Sequence, residues 1–471
     1  MEVSTATKQA YKNNSIHKEL TLEFPNLNLT IPHKQIYGES MRLKESIMDS
    51  NRVEFVGCIS SMFEIQVYGV EAKLKNEFVR VSIKTEDTES IPLFQGYVDS
   101  AQMQSNKNYK KITAYDILHN KGDIDVSAWY KSLIFPITLK NLRDSLFNYI
   151  GIEQVETALP NDDVSISKQY DPKSLKSLNV IKAICQINGA FGIINRHGKF
   201  EYRILAQNII DAVYPSVSLF PSNGLFPANP DVAEAMAQRI ADEVQAEAFS
   251  FYRKVDFEEY EVKPVDKLTI RQSEEDNGVT YGTGDNNYII QANIFTYGLS
   301  DAVLTQIAKK VYRNVKGVSF RPFKSINNGL PWVECGLDAV TYYVTDPTGT
   351  GVMKMSDSKE EQNVTSFYVF DRELKGIQAL SDSYSAQGDE YQSEFITDLQ
   401  TQIDTLKKKQ SSGITKPEME DYAYSRDEID DMLANSEPGG DGGTPIVSVK
   451  VLPEKPDLNV IYLVEGEVVI N

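Results

Sequence analysis

Apolar and polar residues alternate along the first part of the chain. Leu20, Leu22 and Phe24 alternate with Thr21 and Glu23, and Leu27, Leu29 and Ile31 alternate with Asn28 and Thr30. A period of two is the signature of half-buried strands. Strand-like runs follow at 63–67, 79–83, 93–98 and 110–115. Many short strands at this spacing predict a sandwich or small barrel. One helical stretch, 40–49, is expected to interrupt them.

The period then changes. Thr138 can cap a helix whose residues Leu139, Leu142, Leu146 and Ile150 recur at helical spacing. Leu178, Ile181, Ile184 and Ile187 predict a second helix that stops at Gly189, a residue suited to a left-handed terminus. Residues 191–204 form two short apolar runs joined through Gly198, which predicts a hairpin. Beyond a Pro/Asn/Gly-rich loop at 220–230, an alanine-rich helix is expected over 232–249. Strands are expected at 255–262 and 268–272, with turns at Asn277–Gly278 and 282–287. Val303, Ile307, Val311 and Val315 predict a helix, and 320–370 returns to strands, broken by a turn at 346–351.

The last eighty or so residues differ in kind. Ile396, Leu399, Ile403 and Leu406 fall at spacings of three, four and three, a two-heptad seam expected to drive self-association. Ile at a and Leu at d favour two strands by side-chain rules. Thr415 with Glu418, and Ser425 with Glu428, are capping-box pairs for two further short helices. Residues 436–445 are a glycine-rich linker, and a short β segment with runs at 446–451 and 460–464 closes the sequence.

Composition narrows the function classes. Among 471 residues, 67 acids outnumber 48 bases, a net charge of −19 that opposes specific nucleic-acid binding. No apolar run reaches the ~18 residues of a transmembrane helix, and residues 1–18 lack a signal-peptide core, so cytoplasmic synthesis is expected. Cys58, Cys185 and Cys335 are widely separated and fit three buried small apolar residues better than a disulfide framework or zinc site. His17, His33, His119 and His197 include no metal-binding pair, and His197 is expected in an exposed turn. Neither a nucleophile elbow nor a phosphate loop is present, and Gly282–Gly284 reads as a turn. The acids around Asp256–Glu261 and Glu274–Asp276 read as solvated charge, with strand alternation placing Asp256, Glu258 and Tyr260 on one face and Phe257, Glu259 and Glu261 on the other. No catalytic, cofactor or metal residues are assigned, and the chain is expected not to be an enzyme.

Several segments carry a resemblance in a fixed order. Leu93 to Asp99 and Lys111 to Leu118 resemble the F-x-G-x-V and I-x-A-Y-D-x-L patterns of phage tail baseplate hub proteins. Residues 40–47 with 63–67 resemble the opening of that family's first barrel, and 191–205 is similar to its glycine-lysine hairpin. Val333 to Val340 resembles its E-x-G-D strand with Leu337 inserted, and Arg372 to Leu380 resembles the segment closing its last domain. The family comprises the hubs of contractile tails and tailocins and the N-terminal part of siphophage tail-associated proteins. The resemblance spans roughly 15–390 and implies two small tube-like β-barrels that pack, in a homotrimer, as a pseudo-sixfold ring. Such a ring adapts a sixfold tail tube to a threefold spike or fibre in the virion tail. It also implies a tube or distal tail protein and a spike or fibre protein as partners, with tape-measure protein or DNA passing through the lumen.

The expectation is therefore a β-rich α+β multidomain chain. It comprises a first β-barrel domain at 1–122, an α+β module at 123–205, and a second β-barrel domain at 206–388 with an α+β insertion at about 256–320. A helical or coiled-coil tail at 389–435, a linker at 436–445 and a short β segment at 446–471 follow. Two other function classes stand beside the hub. One is a tail-associated cell-wall hydrolase using Glu258 or Glu259, and the other is a receptor-binding tail-tip protein headed by the final β segment.

Overall fold

The computed structural model describes residues 3–12, 16–48, 55–86, 88–104, 108–167, 172, 174–205, 246–249, 254–273, 276–316, 318–337, 339–344, 363–391, 446–449, 461–464 and 467–470. The chain divides into two units, 1–407 and 408–471.

In the first unit, helix α1 (Thr5–Lys12) precedes β1 (Lys18–Phe24), β2 (Leu29–Ile31), β3 (Arg42–Ser46), β4 (Met62–Tyr68), β5 (Phe78–Thr85), β6 (Ile91–Met103) and β7 (Tyr109–Tyr115). Buried and less buried positions alternate along β1, β4, β5 and β7, as their period-two patterns require. Residues 40–48, the described part of the expected 40–49 helix, do not form it. Met41, Leu43, Glu45 and Ile47 are buried in alternation with Arg42, Lys44 and Ser46, and β3 sits between two strands. Ladder pairing on both sides outweighs local helix preference.

The chain continues with α2 (Ile117–Lys121), α3 (Ser127–Ser132), β8 (Ile137–Thr138), α4 (Leu139–Ile150), β9 (Ser165–Ile166), α5 (Ser177–Gln186), β10 (Phe191–Ile194) and β11 (Phe200–Arg203). Thr138 caps α4 by accepting from the Asn141 amide at 3.3 Å, and Gly151 ends it at φ 71°. Leu139, Leu142, Leu146 and Ile150 are buried, so the helical stripe is a core stripe. The β10–β11 hairpin forms as expected. Asn195 Oδ1 accepts from the amides of His197 and Lys199, and Gly198 takes φ 77° in the turn.

The described residues then continue with β12 (Ala246–Phe249), β13 (Lys254–Phe257), β14 (Lys267–Arg271), β15 (Val279–Gly282), β16 (Asn287–Gln291), α6 (Asp301–Val315), β17 (Phe323–Asn328), β18 (Ala339–Val344), β19 (Asn363–Tyr368), β20 (Asp371–Lys375) and β21 (Ser381–Ala386). Residues 246–249, expected at the end of a helix, are a strand running parallel to β18. Helix α6 buries Leu304, Ile307, Ala308, Val311 and Val315, while Val303 is exposed. It packs on the small sheet β15-β14-β16. The loop at 220–230 and the turn at 346–351 lie outside the described residues, as does the rest of the alanine-rich helix.

Two separate closed barrels are not what the strands build. Eleven of them form one antiparallel sheet, in the order β13-β17-β21-β20-β3-β4-β7-β6-β5-β1-β2. The strands expected in the first barrel and in the second share a seam, the β3–β20 ladder. Among the described residues, closure of the first set is limited to a single bridge from Ile36 to Val67 of β4. In the ladder Arg372 lies opposite Glu45, Glu373 opposite Lys44, and Leu374 opposite Leu43. Shifting the register by one residue would turn the buried Arg372 outward, so register and charge pattern specify each other.

In the second unit, β22 (Ile446–Val449), β23 (Ile461–Val464) and β24 (Glu467–Ile470) make a three-stranded sheet. Strand β23 pairs parallel with β22 and antiparallel with β24. The heptad residues Ile396, Leu399, Ile403 and Leu406, the capping-box helices and the 436–445 linker lie outside the described residues.

Candidate functional site

The seam is the most chemically elaborate place in the described molecule. Arg372 in β20 is 2% exposed and uses its whole guanidinium. Its Nε donates to Asp382 Oδ1 at 2.8 Å and its Nη2 to Asp382 Oδ2 at 3.1 Å, a two-point contact across to β21. Its Nη1 donates to Glu45 Oε2 in β3 at 2.9 Å and to the Val333 carbonyl at 2.7 Å. Nη2 also reaches the Leu330 carbonyl at 2.9 Å. Burial opposes the charge on Arg372, but Asp382 and Glu45 hold its pKa well above the ordinary arginine value.

Two more buried arginines fasten the same loop. Arg196, in the hairpin turn, donates from Nη2 to the Val333 carbonyl at 2.6 Å and from Nη1 to the Pro331 carbonyl, and it lies 3.6 Å from Glu45 Oε2. Arg203, at the end of β11, donates from Nη2 to Glu334 Oε2 at 2.6 Å and from Nη1 to the Cys335 carbonyl. Burial would raise Glu334, yet Arg196 and Arg203 hold its carboxyl below the usual carboxylate range. Residues 330–335 are thus tied to β3, β20 and the hairpin at once. Within that loop Trp332, 2% exposed, receives Tyr11 of α1 edge-on, with centroids 5.8 Å apart. The segment expected as a strand from Val333 is instead this loop, and β18 begins only at Ala339. Its carbonyls are turned to arginines rather than to a neighbouring strand.

The two sequence motifs of the first strand set meet each other. Gly96 of β6 passes so close to β7 that an added Cβ would stand 2.1 Å from the Tyr115 carbonyl oxygen. Only glycine permits that approach. The residue after Tyr115 is Asp116, fully buried, whose Oδ1 caps α2 at the Leu118 amide (2.9 Å) and whose Oδ2 accepts from the Ser61 amide (2.6 Å). Burial pushes Asp116 up to about 7 despite these donors. Asp99, which ends the first motif, is passed over between Val98 and Ser100 where the β6–β7 register shifts. It marks the bend in a long strand.

The solvent face of the seam carries a groove of 640 Å³ over β3, β20, β21 and β17. Asp371 stands in it, accepting hydrogen bonds from Ser46 and Ser385, and burial raises its pKa. Lys44, Lys254, Lys324 and Glu373 line the same groove. Glu373 is paired with Arg42 and Lys375. The acidic positions singled out in the sequence do not converge. Strand β13 ends at Phe257, so the expected alternation does not continue through Glu261. Asp256 pairs with Lys254 at 2.5 Å, Glu258 and Glu259 are exposed, and Asp276 accepts from the Gln272 and Gly278 amides of a turn. Glu274 and Glu275 lie outside the described residues. His197 is exposed in its turn, His119 stacks on Tyr115 at 4.2 Å, and His17 meets His33 edge-on at 5.5 Å. Among the described residues no group of three or more His, Cys, Asp or Glu is placed to share a metal ion.

Sequence reasoning missed the arginines. Each lies in or beside a hairpin or strand in a polar context, and nothing local distinguishes a buried arginine from a solvated one. Arg196, Arg203 and Arg372 all lie inside segments singled out by resemblance, but without a role.

No protein-family model and no curated protein matches the chain. Solved structures do. One is a tail protein of Neisseria meningitidis, at 11% identity and TM-score 0.44, covering 80% of this chain and 98% of that one. A 43 kDa tail protein of prophage MuSo2 from Shewanella oneidensis matches at 10% identity and TM-score 0.45, covering 79% and 98%. A prophage tail protein of Listeria monocytogenes matches at 11% and 0.42, covering 83% and 99%. At these values no role passes from those proteins to this one.

Proposed function

We propose that the chain is a structural subunit of a phage-type tail, the baseplate hub that adapts a sixfold tube to a threefold spike or fibre. The observation that carries this reading is where the motif residues fall. Gly96, Tyr115, Asp116, Gly192 and Arg372, all within segments that resemble hub proteins, occupy positions where strands or modules join. They are devices for holding strand sets in a fixed mutual geometry. The two strand sets expected to supply successive positions in a pseudo-sixfold ring are fused by the β3–β20 ladder, so three chains could present six sets. The partners of this reading are two further copies of the chain, a tube or distal tail protein, and a spike or fibre protein. The place of action is the virion tail.

The test is native mass spectrometry of the full chain and of residues 1–388, followed by negative-stain imaging of the larger species. A trimer with an axial opening supports the hub. A compact monomer at all concentrations, without incorporation when tail tubes are supplied, would sink it. Hydrolysis of cell-wall polysaccharide that is lost in Glu258→Gln or Glu259→Gln would replace it with the hydrolase reading.

A further inference from the structure

Cys58 and Cys185 are separated by 127 residues in sequence, yet their Sγ atoms lie 3.6 Å apart. Both thiols are buried, at 3% and 0% exposure. Their proximity is imposed by backbone. Cys58 bridges in parallel to Gly192 of β10, and the Gly192 amide donates to the Gly57 carbonyl at 2.9 Å. An added Cβ on Gly192 would stand 2.6 Å from Cys58 Sγ, and one on Gly57 would stand 1.8 Å from the Ile47 carbonyl oxygen. Two glycines therefore admit this sulfur to the place where α5 presents Cys185. The third cysteine, Cys335, is elsewhere, with its Sγ 3.6 Å from the Glu45 carbonyl oxygen.

We propose that Cys58 and Cys185 form a disulfide-forming site that locks the segment between β3 and β4 to helix α5. Sulfurs 3.6 Å apart need to approach by only about 1.6 Å to reach a bond of about 2.0 Å. The oxidant is a small-molecule disulfide. The thiolate of one cysteine attacks it, forming a mixed disulfide and expelling one small thiolate. The second cysteine then attacks the protein sulfur of that mixed disulfide and expels the other. Two electrons pass from the protein to the oxidant, one protein S–S bond forms, the oxidant's S–S bond breaks, and the two protein protons leave on two reduced small thiols. The closed bond ties a long loop, so the oxidised chain gains resistance to unfolding. The inference stands on sulfur geometry and is independent of the tail reading.

The experiment refolds the full chain from denaturant in buffers of oxidised and reduced glutathione, which removes any question of access to buried thiols. Free thiols are alkylated, and the digest is mapped by mass spectrometry. The expected result is a species two hydrogens lighter than the reduced chain, with Cys58 linked to Cys185 and Cys335 alkylated. Its urea midpoint lies above that of the reduced chain, and the difference disappears in Cys58→Ser but persists in Cys335→Ser. Three alkylated cysteines in the most oxidising buffer, or a mixture of all three pairings in the refolded protein, would overturn the proposal.

Discussion

Arg372 and Asp382, on neighbouring strands β20 and β21, are joined at two points by 2.8 and 3.1 Å hydrogen bonds, in a place that solvent does not reach. Such a pair gains little over a well-packed apolar pair, but breaking it leaves a buried charge unmatched. Arg372→Ala, which abandons both Asp382 and Glu45, is expected to destabilise the first unit by about 3–5 kcal/mol. Equilibrium urea unfolding reads this directly. Asp382→Asn together with Arg372→Met should lose less than the sum of the two single changes, because the second removes a group already stranded by the first. Additive losses would show that the pair does not act as a unit.

Two glycine-to-alanine changes should separate crowding from backbone strain. At Gly96 the added methyl would meet the Tyr115 carbonyl oxygen at 2.1 Å and Phe94 Cζ at 2.6 Å. Strand β7 cannot retreat without breaking its ladder, so a loss of about 3 kcal/mol or more is expected. At Gly38, with φ +42°, nothing lies within 4 Å, so only the left-handed backbone resists, at about 1–2 kcal/mol. Circular dichroism melts of both variants rank them.

Asp116 predicts a pH dependence with a definite sign. Burial raises its folded pKa to about 7, against about 3.9 in an unfolded chain. The folded protein therefore holds the proton more tightly than the unfolded one between those values. This contribution to stability is fully present below about pH 4 and is lost as pH rises through about 7. At 1.4 kcal/mol per unit the swing is on the order of 4 kcal/mol. Asp116→Asn removes the titration, so the stability of wild type relative to the variant should fall between about pH 4 and 7 and level off above that. A constant difference across that range would show that the Ser61 and Leu118 amides hold the carboxylate ionised instead.

The heptad residues give the assembly prediction. Charge placed in an apolar seam disrupts it, so Ile403→Glu is expected to lower the oligomer mass while leaving urea unfolding of the eleven-stranded sheet unchanged. An unaltered mass would assign assembly to the β-sheet unit alone.

The period of hydrophobic positions was enough to place β1, β4, β5 and β7, the α4 and α6 helices and the β10–β11 hairpin, because each buries one face against whatever lies beneath it. It failed at 40–49 and at 246–249, where pairing with distant strands overrides local preference. Cys58 and Cys185, expected only as buried apolar residues, proved to be neighbours for the same reason: the approach is made by glycine backbones far apart in sequence. The acids Asp256, Glu258, Glu259 and Glu261 were legible as solvated charge, since that reading needs only local polarity. By itself the sequence determined which segments alternate, which turn and which must be covered. Only the tertiary structure decided that two strand sets fuse through β3 and β20, and that Arg196, Arg203 and Arg372 hold the 330–335 loop. A buried ion pair is a property of two places in the chain at once, and no local pattern encodes the second place.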